Sequence, residues 1–465
     1  MGPDYVRPET APGVTGWNAE LARGLESLPP DQAALARFWT ALDDPLLTEL
    51  VERALAGNYD VREAEARLRQ TRALRKIAVG RFFPTIAGSA GAQRVSASDR
   101  TRGAGGGGAG AFGGGGSGAV ELYSVGLDAS WEIDLFGRLR RNLEAANADR
   151  DAAQEDLRDV QVSLIAELAL AYVDTRALQE RLRIAEATLA SQSETYDITD
   201  WRAQAGLTTV LDVERARTSV ATTEATIPTL RTALDADVNG IATLLGEPPG
   251  AVSELLAPKQ PIPVTPREVA VGVPADALAQ RPDVRRAERA LAAETARVGV
   301  ATADAYPNLN ALGSIGLEAL SPAGLVKGGA TFASLAATAT QTIFAGGQIV
   351  GSIEAQKAVR DQALARYQTT VLSALSEVEN ALVAYAREQD RRDSLAEAAG
   401  AAERALVLAQ DQYGSGLIDF QVVLDSQRAL FVLQDQLAES EGQVTANLVR
   451  LYKAIGGGWT PEPTS

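Results

Sequence analysis

Two residue types are missing altogether: the chain of 465 residues contains no cysteine and no histidine. That removes cysteine nucleophiles, Ser-His-Asp triads, imidazole general bases and the zinc sites that rely on either ligand, and with them most hydrolytic chemistry. Aromatic residues are scarce at 5%, while 46% of the chain is hydrophobic and much of that is alanine, a composition that favours close helix packing over one bulky globular core. No apolar run approaches the 18 or so residues of a transmembrane helix, and Met1-Gly-Pro-Asp-Tyr5 lacks the apolar stretch of a signal peptide. Basic residues are outnumbered, 44 against 60, so the net charge of −16 argues against nucleic acid as a partner. No metal-ligand or cofactor motif stands out.

What is present is a duplication. Asp60-Val61-Arg62, Ala64-Glu65, Leu68 and Phe83-Pro84 align with Asp283-Val284-Arg285, Ala287-Glu288, Leu291 and Tyr306-Pro307 at a shift of 283 − 60 = 223. Gly137, Glu144-Ala145, Arg150-Asp151, Gly206-Leu207 and Gly246 align with Gly347, Glu354-Ala355, Arg360-Asp361, Gly416-Leu417 and Gly456 at 347 − 137 = 210. The shift changes across the glycine-rich tract 103–118 of the first half, which reads as an extended hairpin loop. Its formal GxGxxG lacks the lysine and Walker-type spacing of a phosphate cradle.

Within each half the apolar period is first helical. Val160, Leu164, Leu168, Ala171, Thr175, Leu178, Leu182, Ala185 and Leu189 follow steps of three and four, the seam of a coiled-coil helix predicted from about Gly137 to Thr199, roughly 90 Å at 1.5 Å per residue. After a turn at Ala205-Gly206-Leu207 a second seam, Val213, Ala216, Val220, Thr223, Ile227, Leu230, Leu234, Ile241 and Leu245, doubles back, with a local kink expected at Pro228. The second half predicts a helix from about Gly347 to Tyr413, a turn at Gly414-Ser415-Gly416 and a return to Ile455.

Elsewhere the period is two. Tyr123, Val125, Leu127, Ala129, Trp131, Ile133 and Leu135 alternate with Ser124, Gly126, Asp128, Ser130, Glu132 and Asp134. Ala333, Leu335, Ala337, Ala339 and Ile343 alternate with Ser334, Ala336, Thr338, Thr340 and Thr342, and weaker strands follow Pro84 and Pro307, so one chain offers four strands as two hairpins. Such strands suit a tilted membrane barrel, which four strands cannot close; since open edges are not tolerated in lipid, several chains would share one barrel. An ordinary antiparallel sheet packed on helices is the alternative, opposed by the lack of a second apolar layer to cover it.

At this point the pieces resemble the outer-membrane factors of tripartite efflux pumps, the TolC/OprM-like family, and in particular its lipoprotein, NodT-type branch. Gly2-Pro3-Asp4-Tyr5-Val-Arg7-Pro8 resembles the segment after the lipidated cysteine of that branch, and Phe38-Trp39-Thr-Ala-Leu-Asp-Asp44-Pro45-Leu46 resembles its first helix. Arg281-Pro282-Asp283-Val284-Arg285 opens the second repeat in the family manner, and Leu451-Tyr452-Lys453-Ala-Ile-Gly456-Gly-Gly-Trp459 is its usual close. The resemblance covers nearly the whole chain. It implies a mainly α fold with a small β part: a duplicated repeat of long antiparallel coiled-coil helices plus two β-hairpins, a homotrimer forming a 12-stranded β-barrel continued by an α-helical barrel. The expected divisions are 1–50 (N-terminal extended segment and first helix), 51–246 (repeat 1, hairpin about 84–135), 247–280 (linker), 281–456 (repeat 2, hairpin about 307–344) and 457–465 (tail, with 460–465 flexible). It also implies a lipid anchor on a cysteine just upstream of Gly2, where Met1 stands here.

Function in this reading is passive conduction through the bacterial outer membrane, not enzymatic turnover. The implied partners are outer-membrane lipid, a periplasmic adaptor (membrane fusion protein) and an inner-membrane resistance-nodulation-division transporter. For the periplasmic gate the resemblance points to Asp425 and Arg428 as inward charged positions, and to Asp212 and Tyr413 as residues of an inter-helix latch; a ring of Asp425 would narrow a pore and attract cations. The family's latch arginine is replaced by Ile418 and a second acidic ring position by Val422. Without the resemblance, Asp425 and Arg428 three apart on a helix read as a surface ion pair worth well under about 1 kcal/mol. Gly206-Leu207-Thr208 and Gly416-Leu417-Ile418 cap the helix tips and are the candidate adaptor contacts, or simple helix caps. On the strands Tyr123, Val125, Leu127, Trp131 and Ile133 are the candidate lipid-facing residues, and Asp128, Glu132 and Asp134 the lumen-facing ones. The competing readings are a duct for type I protein secretion, a soluble coiled-coil scaffold, and, last, a carboxylate-pair glycosidase, for which the acidic residues sit along helical faces rather than in a pocket.

Overall fold

A computed structural model of the chain describes residues 1–8, 16–18, 25–26, 31–96, 119–263, 269–271 and 274–459. The glycine tract 103–118 and the tail 460–465 lie outside the described residues. In chain order the elements are β1 (Leu25–Glu26), α1 (Gln32–Ala36), a 3₁₀ turn (Phe38–Leu42), α2 (Pro45–Gly57), α3 (Tyr59–Gly80), β2 (Thr85–Ser96) and β3 (Ala119–Ile133). There follow α4 (Arg138–Gln204), α5 (Val210–Leu244), α6 (Ser253–Leu256), β4 (Val269–Ala270), α7 (Pro274–Gln280) and α8 (Pro282–Ala303). The chain closes with β5 (Asn308–Ala319), a 3₁₀ turn (Pro322–Gly324), β6 (Thr331–Thr340), α9 (Gln348–Gly414) and α10 (Phe420–Ala454). The duplication is visible in the lengths: α4 and α9 are both 67 residues, α5 and α10 both 35.

Two compact units make up the chain. One comprises Met1–Val6, Gln70–Arg150 and Arg289–Leu364. It holds the four-stranded sheet, antiparallel throughout in the order β2-β3-β5-β6. A small apolar cluster of Ala148, Ala292 and Ala293 in the same unit takes the Tyr5 ring, and Arg141 bonds the carboxylate of Asp4.

The other unit comprises Arg7–Arg69, Asp151–Glu288 and Ala365–Ser465. Its core takes Leu164 and Leu168 of the seam read from the sequence together with their neighbours Ile165 and Tyr172 on α4, clustered with Ile241 of α5, Leu47 and Leu50 of α2, and Leu448 and Leu451 of α10, while Val160 and Ala171 of that seam pack at its margin. Phe38 stacks on Tyr452 with ring centres 5.1 Å apart and meets Trp39 edge-on. Arg176 is fully buried here, donating to Gln179 (2.7 Å), the Pro258 carbonyl (2.8 Å) and the Tyr172 hydroxyl (3.1 Å). That hydroxyl in turn donates to Asp44 (2.6 Å), and burial first, then this bond, pushes it up to about 12.

Three details differ from the sequence reading. Phe38–Leu46 is not one helix: the 3₁₀ turn ends at Asp43, whose φ is 50°, and α2 starts afresh with Asp44 as N-cap for the N–H groups of Leu46 and Leu47. Pro45 at the first helical position has no donor to lose, whereas inside a continuous helix it would break a bond. β3 ends at Ile133, so Leu135 and Asp134 leave the strand. Asp134 instead accepts from the N–H groups of Leu139 (3.2 Å) and Arg140 (3.0 Å), serving the unpaired donors at the start of α4. Ile343 lies beyond the end of β6. The helix α5 is continuous through Pro228, which sits on its exposed side, where water can serve the Glu224 carbonyl.

Arg281 gives the opening of the second half a physical role. Its guanidinium donates to the Ala454 carbonyl (2.6 Å), to Glu377 (2.6 Å) and, as a two-pronged fork, to Asp283 (3.1 and 2.8 Å). Burial alone would raise the Asp283 carboxyl, and the bonds and charge of Arg281 override it and hold it below its usual range. Replacing Arg281 by alanine leaves the Ala454 carbonyl without its bond and the half-buried Asp283 carboxylate with the Val284 N–H but no balancing fork, an expected loss of about 3 kcal/mol visible as a lower midpoint in thermal melts followed by circular dichroism. Lysine cannot reproduce the fork and should rescue little. Because Asp283 is depressed in the folded state, its contribution is fully present above the ordinary carboxylate range and should fade as pH falls through it.

Candidate functional site

The strand pairing decides which side chains share a face. Val125 pairs with Ala90 and Leu317, Leu127 with Gly88 and Ile315, Ala129 with Ile86 and Gly313, and Ile133 with Leu309. Leu309, Ala311, Gly313 and Ile315 then pair with Ala339, Ala337, Leu335 and Ala333. Since side chains alternate across a sheet, one apolar face runs over all four strands and includes Tyr123, Val125, Leu127, Trp131 and Ile133. It is uncovered: Leu335 is 87% exposed, Ile86 68% and Ile315 61%. Trp131 donates from its indole to the Phe82 carbonyl (2.9 Å), and Tyr123 donates to Glu121 (3.1 Å).

The opposite face is mixed: Ser, Thr, Asn and acidic side chains alternate with Ala87, Val120, Leu122, Leu312, Phe332 and Ala336. Ser89 donates to Asp128 (2.7 Å), and Ser314 and Ser334 bond each other across β5 and β6 at 2.7 Å. Glu132 is paired with Arg138 in two bonds, so its charge is matched locally. Of the three acidic residues expected on this face, Asp128 and Glu132 are in the strand and Asp134 is not. Among the described residues β2 and β6 have no further strand neighbour, leaving two edges of backbone donors and acceptors.

The second candidate is the pair of helix turns in the other unit. Gly206 and Gly416 have φ of 75° and 73°. In each turn two backbone bonds close the helix end: Leu207 to Arg202 and Gly206 to Ala203, Leu417 to Gln412 and Gly416 to Tyr413, all between 2.8 and 3.0 Å. This is the left-handed cap that only glycine adopts without cost. Both leucines point out, Leu207 70% and Leu417 75% exposed. Thr208 instead donates to Asp212 (2.9 Å), and Ile418 packs on the cluster of Ala216, Ala409, Phe420, Val423 and Leu424.

Asp212 and Tyr413 have different partners. Asp212 completes a capping box with Thr209, whose hydroxyl bond is the main reason its carboxyl is held low. Tyr413 lies 5.2 Å from Phe420 and carries the Arg202 guanidinium 4.9 Å above its ring. Asp425 accepts from Gln421 (2.9 Å) and faces Arg428 at 3.9 Å, both ends being half exposed.

Three side chains that tie the long helices together were not singled out by sequence: Arg202 over Tyr413, Gln427 donating to Thr195 (3.0 Å), and Arg181 gripping Asp435 with two bonds of 2.8 and 3.0 Å. A basic residue in the last turn of α4 was a weak signal for the first. Nothing local marks the other two, whose partners lie 232 and 254 residues away.

A family model described as outer membrane efflux protein matches residues 50–247 and 273–457. Nodulation protein T of Rhizobium leguminosarum bv. trifolii is 32% identical over 466 residues, covering 99% of this chain and 95% of that protein. The toluene efflux pump outer membrane protein TtgF of Pseudomonas putida is 30% identical, covering 98% of this chain and 93% of its own. Among solved structures the outer-membrane channel OprN superposes with a TM-score of 0.89 at 36% identity, over 99% of this chain and 100% of that one. An uncovered sheet with one apolar face and a duplicated pair of long helices thus accompany sequence similarity along nearly the whole length, and the chain belongs to the outer membrane efflux protein family.

Proposed function

We propose that three copies of this chain close one 12-stranded barrel in the outer membrane and that their long helices continue it as a duct. As an outer-membrane efflux channel the protein makes and breaks no bonds; it conducts. The observation that carries the trimer is the sheet: among the described residues one face is apolar and bare, and both edges lack a strand neighbour. In hydrocarbon an unpaired backbone group costs several kcal/mol, so a spanning sheet must close, and four strands are too few to do so alone. The β6 edge of one copy pairing with the β2 edge of the next removes every edge at once and turns Asp128 toward the lumen.

The helix turns are the proposed docking end. Leu207 and Leu417 offer apolar contacts to a periplasmic adaptor, which links the duct to an inner-membrane transporter; the resistance-nodulation-division class fits relatives named for toluene and solvent efflux. Asp425 and Arg428 are the proposed gate. Their mutual contact is too long and too exposed to hold α10 in place by itself, which leaves both charges available to neighbouring copies.

An arginine at Leu127 or Ile315 is expected to cost about 2–4 kcal/mol of membrane stability and to deplete the trimer in outer-membrane fractions, read by native gels. Arginine at Ser124, on the opposite face, should leave assembly intact. Planar-bilayer recordings of Asp425→Ala with Arg428→Ala should show conductance about tenfold above the parent. Asp128→Asn should reduce cation preference in the reversal potential; unchanged selectivity would place Asp128 outside the conducting path.

A further inference from the structure

Near the helix turns α4, α5 and α10 pack through two apolar clusters separated by a layer of another character. The cluster beside the turns holds Ala216, Phe420, Val423 and Leu424 with Tyr196. The cluster further from them holds Leu182, Ala185, Ile227 and Leu230, with Leu189 and Phe431 against it. Along each helix the fully buried residues between are polar, Gln192 on α4, Ser219 and Thr223 on α5 and Gln427 on α10, with Thr195 of α4 beside them and Val220 and Leu430 half-buried at the margin. Gln192, Ser219, Thr223 and Gln427 are 3–4% exposed.

This layer is under-satisfied. Gln427 donates to Thr195 (3.0 Å), yet its own carbonyl oxygen, the carbonyl oxygen of Gln192 and the hydroxyl of Ser219 have no hydrogen-bond partner among the described residues. Buried polar groups are nearly always paired, because an unpaired one forfeits its hydration without replacement. Three in one layer make the packing of α10 on α4 and α5 weaker there than in either flanking cluster. Beyond the layer, away from the turns, Arg181 clamps Asp435 and fixes α10 to α4. On the other side of the layer α10 carries Asp425 and Arg428.

We propose that the layer of Gln192, Ser219 and Gln427 is the pivot at which the end of α10 separates from α4 and α5 when the duct opens, the clamp of Arg181 and Asp435 holding the rest of α10 still. The inference rests on the gate reading above. Separation lets water reach the three unpaired atoms, so opening recovers hydration there and loses few hydrogen bonds. An apolar layer would remove that gain and strengthen the closed packing.

The test compares the trimer in detergent with a variant carrying Gln192→Leu, Ser219→Ala and Gln427→Leu, and with Gln427→Met as a milder change. Amide hydrogen exchange over residues 420–431 is expected to slow about tenfold in the triple variant and less in the single one. Introduced into Asp425→Ala with Arg428→Ala, the triple change should reduce conductance about fivefold. Exchange that is unchanged or faster overturns the pivot, as does undiminished conductance of a background that itself conducts. If Asp425→Ala with Arg428→Ala conducts no better than the parent, the gate reading fails, and the exchange result alone then decides the pivot. Should the triple variant fail to assemble, the exchange of Gln427→Met decides in the same direction.

Discussion

Backbone hydrogen bonding in a medium without water is the constraint from which the rest of this molecule follows. A sheet exposed to hydrocarbon must satisfy its own edges, and this chain supplies four strands with a continuous apolar face and two unfinished edges. The apolar face is no misplaced core: nothing among the described residues of its unit covers it, and its residues are drawn from every strand. A chain built this way is complete only in company, which is why the proposed assembly is a closed ring and not a pair.

The helical unit solves a different problem with small side chains. Alanines at the seams let helices approach closely, while the few large residues, Phe38, Trp39, Tyr172 and Tyr452, gather where α2 and the 3₁₀ turn pack onto the long helices. Arg176 and Arg281 lock that region, each buried and donating from its guanidinium to carbonyls, carboxylates or a hydroxyl. Toward the turns Gln192, Ser219 and Gln427 share a buried polar layer.

Much of the architecture was legible because it is periodic. Steps of three and four placed a long helix from about Gly137 and strict alternation placed β3, and the shift of 210 marked α9 as the repeat of α4, although the sequence reading ended α4 near Thr199 and the helix runs on to Gln204. Boundaries were less legible. Asp134 continues the alternation in sequence, yet the free N–H groups at the start of α4 capture it; Phe38–Leu46 reads as one helix until Pro45 is seen to start a new one. Such outcomes depend on competition between neighbouring hydrogen-bond donors, which a pattern of apolar residues does not encode.

By itself the sequence determined the duplication, the long seams, the amphipathic strands and the turns at Gly206 and Gly416, because each is a local periodicity or a conformation that one residue type alone permits. Only the tertiary structure decided which polar residues share a layer. Gln192, Ser219 and Gln427 are ordinary positions on three separate helices, and Arg181 and Asp435 lie 254 residues apart. Whether a buried amide finds a partner depends on the register between helices, and that is set by the packing of whole seams against one another.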